Sequence, residues 1–343
     1  DGLRAEGATK MPFRGDIRSV PVPGCVDGWL ALHDRHGRVP LTDVLAPAIA
    51  LAADGFQIPD HLVRSSARVA DVPGAEGYLN LVAGERMTRP EVADGLRTIV
   101  SEGRDGWYLG AFGEGLLALG DGLFTRADMA QNQAEWVDPI GLDIWGHRAW
   151  TVPPNSQGYL SLLAAGILQG VDLGEPESAA WVHLHAEAAR LASYDRGDVL
   201  SDSADGNALL SQERMDARRA LLDPERTTGI GGTYGGGGTI YLCATDGDGM
   251  GVSLIQSNAS GFGAHIVVPG TGVFLHNRGI GFNLIDGHPA EFGPGRRPPH
   301  TLSPALVTRP DGTLRTVLGT MGGDAQPQVV LQMLSRLLHA GTS

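Results

Sequence analysis

The sequence predicts a layered α+β domain, on three observations. The first two thirds carry apolar residues at helical spacing. After Thr239 the chain changes to short β-branched or apolar runs separated by turn residues. A single apolar helix pattern, "QVVLQMLSRLLHAG", closes it. Helices first and antiparallel hairpins second fit one layered domain better than two separate ones.

In chain order, "PLTDVLAPAIALAADGF" predicts a helix with Val44, Leu45, Ala48, Ile49 and Ala52 at helical spacing, Thr42 as N-cap and Gly55 as its stop. "QGYLSLLAAGILQG" is short, apolar on most sides and bounded by glycines, which predicts a buried helix. "ESAAWVHLHAEAARLASYDRGDVL" predicts a longer amphipathic helix, with His183 and Glu187 at i,i+4. A pair on the helix surface is the expectation there, because no third ligand recurs on that face to make a metal site. "TIYLCATD" and "GVSLIQSN" predict a hairpin turned by "DGDG". "PALVTR" and "RTVLGTM" predict a second pair turned at Asp311–Thr313. No internal repeat is visible. The glycine-rich run before Thr239 is the best boundary, placed within one domain rather than between two.

Composition excludes several chemistries. The 343 residues carry a net charge of -13, which argues against a nucleic-acid partner. Lys10 is the sole lysine and lies in "ATKMP", so there is no phosphate-binding Gly-Lys-Ser/Thr loop. Cys25 and Cys243 form no metal spacing and are expected to be reduced and partly buried. No apolar run reaches about 18 residues, so no membrane partner is expected. Asp1 opens no targeting segment, which leaves the compartment open with the cytoplasm slightly favoured. There is no Gly-x-Ser-x-Gly elbow and no His-Glu-x-x-His pair. No cofactor and no metal are expected.

What remains is "GGTYGGGGTIYLCATDGDG", where four glycines abut a threonine at the head of a strand. One reading is a linker before an edge strand, the commoner case. The other is a scissile Gly238–Thr239 bond. Cleavage there would give Thr239 a free α-amine, of reference pKa about 7.7–8, beside its own hydroxyl. One residue would then supply nucleophile and base. Further on, "GTMGGDAQPQ" places Gly322 and Gly323 between a strand and a helix. Their N–H groups can form an oxyanion hole, or simply a left-handed turn before the helix.

Six collinear stretches resemble the γ-glutamyltransferase (γ-glutamyltranspeptidase) family of N-terminal-nucleophile hydrolases: "VPGCVDGWLALHDRHGRVPLTDVLAPAIALAADGF", "PPNSQGYLSLLAAGIL", "HLHAEAARLASYDRGDVLSD", "TIYLCATDGDGMGVSLIQSNASGFGAHIVVPGTGVFLHNRGIGF", "RRPPHTLSPALV" and "GTMGGDAQPQVVLQ". The resemblance implies an αββα sandwich and a proenzyme that cuts itself before its catalytic threonine, here Thr239. By position it implies Ser257 as the hydroxyl that hydrogen-bonds the nucleophile, and Gly322 and Gly323 as the oxyanion pair. Asn258, Arg278, His300 and Thr301 fall where substrate is expected to bind. Residues 1–238 then resemble the large subunit and 239–343 the small one, together one catalytic domain that is incomplete at both ends. The expected partners are a small acyl or amide substrate and the two fragments of one precursor, with dimerisation open.

The substrate pocket departs from γ-glutamyl-transferring members. Their Gln, Asp and Asn, which hold the substrate ammonium, fall on Arg278, Gly281 and Ala259, and their paired serines on His300 and Thr301. His265 stands where a small glycine is usual. The expectation is therefore a threonine-nucleophile acyl transferase or amidohydrolase whose substrate is not an ordinary γ-glutamyl donor. Carbon–carbon cleavage at an activated carbonyl in natural-product biosynthesis, and a non-catalytic truncated homologue, are the alternatives.

Overall fold

The computed structural model describes residues 2–229 and 239–342; Gly238 and the glycine run before it lie outside them. The chain forms two compact units. One comprises Asp1–Met11, Val137–Gly261 and Ile280–Ser343, the other Pro12–Trp136 and Phe262–Gly279.

The first unit is built on a four-stranded antiparallel sheet in the order Leu314–Leu318, Ala305–Thr308, His147–Thr151, Ile140–Ile144. Ala149, Ala305, Val307 and Leu318 point from it into a core shared with the helices Tyr159–Leu168, Ala179–Ser193 and Gln326–Leu334. All ten residues of Tyr159–Leu168 are buried, as its all-round apolar sequence predicts. The hairpin Thr239–Thr245/Gly251–Ser257 packs along Leu314–Leu318. A Cβ at Gly251 would come within 2.6 Å of Leu314 and 2.8 Å of Val317, so the strand needs glycine to approach that closely. The hairpin turn is closed by Asp246, whose Oδ1 accepts from the amides of Asp248 (3.0 Å) and Met250 (2.8 Å). Ile240 and Leu242, on the hairpin's other face, are about half exposed.

Several expectations change. The first two thirds are not all helix: Ile140–Ile144 and His147–Thr151 form a hairpin that completes the sheet. Its turn residues Trp145 (φ 45°) and Gly146 (φ 76°) are both left-handed, the geometry of a two-residue hairpin, but Trp-Gly lacks the usual Asn-Gly signal. The helix Leu41–Asp54 starts at Pro40 with no side-chain cap, and Thr42 sits inside its first turn; Gly55 does end it, at φ 95°. The long amphipathic helix stops at Ser193, and Arg196–Val199 is a separate turn. Cys25 and Cys243 are exposed and form no disulfide.

The second unit packs the helices Cys25–His36, Leu41–Asp54, Pro90–Tyr108 and Ala111–Gly120 around Ile99, Tyr108, Phe112 and Leu116, with the short pair Val267–Val268/Val273–Phe274. The buried Asp27 carboxylate meets Arg104 Nε at 2.8 Å and accepts the Gln133 amide at 2.7 Å. Among the described residues no helix is long and apolar enough to cross a membrane.

His276, in the same unit, carries a pH dependence. Burial first, and the Arg278 guanidinium second, push its pKa down to about 4. The unfolded chain takes up a proton near pH 6.5, and the folded chain does not until about 4. His276 therefore contributes full stability above about 6.5, and that contribution drains away as pH falls to about 4. A loss of roughly 2–3 kcal/mol is expected over that interval. Thermal unfolding of the parent and of His276→Gln checks it: the variant should show the flatter dependence between those two pH values.

Candidate active site

Thr239 opens its strand directly opposite Ser257, the last residue of the paired strand. Its Oγ1 donates to Ser257 Oγ at 3.1 Å. The Ala259 amide also donates to Ser257 Oγ, at 2.9 Å, and Ala259 is held in the left-handed region at φ 69°. Ala259 carries a Cβ, so this conformation costs on the order of 1 kcal/mol and persists because the surroundings impose it. The result is a serine hydroxyl aimed at the threonine hydroxyl and braced from behind.

Leu314–Leu318 connects this pair to the second candidate feature. Ser253 Oγ donates to the Leu318 carbonyl at 3.2 Å, and Gly319 lies against the ring of Tyr241, two residues from Thr239. Three residues later come Gly322 (φ 134°) and Gly323 (φ 58°), conformations that a side chain disfavours. The Gly322 carbonyl accepts from the Ala325 amide at 3.1 Å, which fixes the peptide plane bearing the Gly323 N–H.

The Gly323 carbonyl is held by Gln157, which is wholly buried. Gln157 Nε2 donates to Gly323 O at 3.0 Å and to Thr301 O at 3.2 Å, and its own amide donates to His300 O at 3.0 Å. The His300 amide in turn donates to Asn155 O at 3.0 Å, and Ser156 Oγ to Leu302 O at 2.5 Å. The segment 155–157 thus ties the His300–Thr301 backbone to the glycine turn. Sequence reasoning missed Asn155, Ser156 and Gln157. The one available signal was three polar residues immediately before a helix that is apolar all round.

The sequence-predicted residues therefore fall into groups. Thr239 and Ser257 touch. Gly322–Gly323 and His300–Thr301 are linked through Gln157. Asn258 is exposed beside Ser257. Arg278 belongs to the second unit, where its amide donates to His276 Nδ1 at 3.1 Å. At Gly281 an added Cβ would run into the Pro299 carbonyl, so the backbone itself occupies the space of a side chain. His183 and Glu187 do not pair on a helix surface: His183 Nε2 bonds the Asp223 carbonyl at 2.9 Å, and Glu187 is buried with Thr227 and Thr228. No cluster of three metal-ligating side chains occurs among the described residues. A cleft of about 700 Å³ lined by Leu30, Asp34, Arg35, Ile99, Arg104 and Trp136 lies in the second unit and contains none of the predicted site residues.

The Gln157 brace makes a direct prediction. Gln157→Ala removes one of the two donors to each carbonyl, since Ser303 Oγ still donates to Thr301 O at 3.2 Å and the Gln326 backbone amide to Gly323 O, so a loss of about 0.5–1.5 kcal/mol per hydrogen bond is expected. Gln157→Glu, which puts a carboxylate against two carbonyl oxygens, should be at least as damaging. Urea unfolding measures both, and a change within about 0.5 kcal/mol for either variant would show that the brace is not needed.

Comparison with known proteins places the chain in a family. The family model for gamma-glutamyltranspeptidase matches residues 2–343. The chain is 32% identical over 360 residues to the glutathione hydrolase-like YwrD proenzyme of Bacillus subtilis (strain 168), covering 98% of this chain and 67% of that protein. It is 32% identical over 357 residues to the oxamate amidohydrolase proenzyme of Klebsiella pneumoniae subsp. pneumoniae, with the same coverages. It also superposes on the crystal structure of a cephalosporin acylase from Bacillus halodurans with a TM-score of 0.89 at 31% identity, over 99% of this chain and 67% of that one. The chain thus spans about two thirds of the length of each. With this match from end to end and this layered α+β architecture, the chain belongs to the gamma-glutamyltranspeptidase family of N-terminal-nucleophile hydrolases and has their αββα sandwich fold.

Proposed function

We propose that the protein is a self-processing amidohydrolase or acyltransferase with Thr239 as its nucleophile. The observation that carries this is the Thr239 Oγ1–Ser257 Oγ hydrogen bond of 3.1 Å at the head of a strand that follows a glycine run. In processing, the Thr239 hydroxyl attacks the Gly238 carbonyl carbon. The peptide C–N bond breaks as an ester forms, and the released amine takes the proton. Water then hydrolyses the ester, leaving a Gly238 carboxylate and a free Thr239.

In turnover the Thr239 α-amine accepts the hydroxyl proton as Oγ1 attacks the substrate carbonyl, and returns it to the leaving amine. The N–H groups of Gly322 and Gly323 receive the developing oxyanion; one such donor is typically worth about 10²–10³ in rate. Water or a second amine then resolves the acyl ester. The proenzyme names of the relatives support processing, and the acylase and amidohydrolase names support amide chemistry.

The proposed substrate is an acyl amide without an α-ammonium group. Where γ-glutamyl-transferring members carry an Asp, this chain has Gly281 packed on the Pro299 backbone, and where they carry an Asn it has Ala259. A site that loses its polar partners for a buried ammonium rejects that group sharply. The oxamate amidohydrolase relative is named for an amide that is anionic and lacks an ammonium.

Intact mass and denaturing gels test processing. The parent should yield two fragments joined in the precursor at Gly238–Thr239, the second beginning with Thr239, and Thr239→Ala a single chain; a Thr239→Ala chain that still splits at this bond would remove Thr239 from the mechanism. Rates on γ-glutamyl-p-nitroanilide should fall well below those on neutral or purely anionic acyl amides, and equal rates would sink the substrate assignment. Because the base must be unprotonated, turnover should rise with pH and level off above its pKa, whose reference value is about 7.7–8. His300→Asn should leave single-turnover acylation within about tenfold, since losing a true general base costs roughly 10²–10⁴.

A further inference from the structure

One face of the helix Ala179–Ser193 grips the chain that leads to Thr239. His183, Glu187 and Arg190, at i, i+4 and i+7, all point at residues 223–228. His183 takes the Asp223 carbonyl. Glu187 takes the rest. Its Oε2 accepts from the Thr228 amide at 2.7 Å and the Thr228 hydroxyl at 2.8 Å. Its Oε1 accepts from the Thr227 hydroxyl at 3.0 Å and from Arg190 Nη1 at 2.9 Å, and Arg190 also donates to Thr227 Oγ1 at 2.8 Å. The Glu187 side chain is 2% exposed. Burial alone would raise its pKa, but the donors from Thr228 and Thr227 and the Arg190 charge outweigh burial and hold the carboxyl below its usual range. A buried carboxylate with four donors is an anchor: each donor is charge-assisted, and burial makes the loss of any one costly.

We propose that Glu187 is a positioning residue for self-cleavage, fixing Thr227 and Thr228 so that only the ten residues 229–238 separate this held point of the chain from Thr239. Thr239 is itself paired to Ser257 in its strand. This inference rests on the reading of Thr239 as the self-cleaving residue. Releasing the anchor lengthens the free stretch to about fifteen residues, back to the Asp223 contact, which by loop entropy alone slows an encounter only about twofold. The larger effect is orientation. Attack on a peptide carbonyl needs a fixed geometry, which the chain keeps only while it is held on both sides of the bond.

The test follows cleavage of pulse-labelled full-length chain on denaturing gels. Glu187→Ala and Thr228→Val should each slow appearance of the two fragments at least tenfold. Thr228→Ser, which keeps the hydroxyl, should cleave at the parent rate. The double variant should be no slower than Glu187→Ala, because both substitutions cut one contact. Thr228→Val is close to isosteric and decides the matter if Glu187→Ala does not fold; cooperative melting of each variant in a Thr239→Ala background reports folding separately. Folded Thr228→Val that cleaves within twofold of the parent, or effects that simply add, would overturn the anchor while leaving Thr239 in place. A parent that never splits, or Thr239→Ala that does, would overturn the reading of Thr239 and the anchor with it.

Discussion

Everything proposed for the site depends on the register of one hairpin. Thr239 faces Ser257 because seven consecutive pairs, ending at Thr245 and Gly251, run without a slip. Side chains alternate across a strand, so a shift of one residue would turn Thr239 to the opposite face and put Ile240 opposite Ser257. Two features hold the register. The Asp246 carboxylate closes the turn with two amide bonds, and the missing side chain of Gly251 lets the hairpin seat against Leu314 and Val317. The packing of a glycine six pairs away thus helps to set a hydroxyl–hydroxyl contact of 3.1 Å.

Around that hairpin the first unit uses buried polar side chains as braces between backbone segments distant in sequence. Gln157 ties the carbonyls of Thr301 and Gly323, and Glu187 ties the helix Ala179–Ser193 to Thr227 and Thr228. An apolar side chain could fill either place, but it could not choose between two backbone orientations. A buried amide or carboxylate can, because a wrong orientation leaves an orphaned group at a cost of about 1–3 kcal/mol. Direction, rather than volume, is what a nucleophile and its oxyanion donors require.

The departures in the substrate region are structural as well as compositional. Gly281 lies so close to the Pro299 carbonyl that the backbone would have to move before an aspartate could stand there. Ala259 adopts a left-handed conformation that asparagine tolerates more readily than alanine. The short side chain at that position is thus accepted at an energetic cost, and its amide is spent on Ser257. Under the proposed function, Ala259 gives its backbone amide to the Thr239–Ser257 pair and only its side chain to the substrate region, so processing can persist while substrate choice changes.

Much of this was legible in the sequence. The fully apolar Tyr159–Leu168 helix, the two later hairpins with their Asp-Gly turns, the Gly55 stop and the threonine after the glycine run all follow from local rules of period, turn chemistry and capping. What failed locally did so for physical reasons. Pro40, not Thr42, begins a helix, because its fixed φ and carbonyl suffice without a side-chain cap. The hairpin Ile140–Ile144/His147–Thr151 was invisible because Trp-Gly turns are rare and its strands carry Gly141, Asp143 and two basic residues. Glu187 read as a helix-surface charge because a single sequence does not show that Thr227 and Thr228, forty residues on, fold back over it. The sequence, through its glycine run and its family resemblance, supplied the candidates proposed here as nucleophile, hydroxyl partner and oxyanion donors. Only the tertiary structure decided which buried polar groups hold them, because hydrogen bonds across forty to a hundred and sixty-six residues leave no trace in periodicity or propensity.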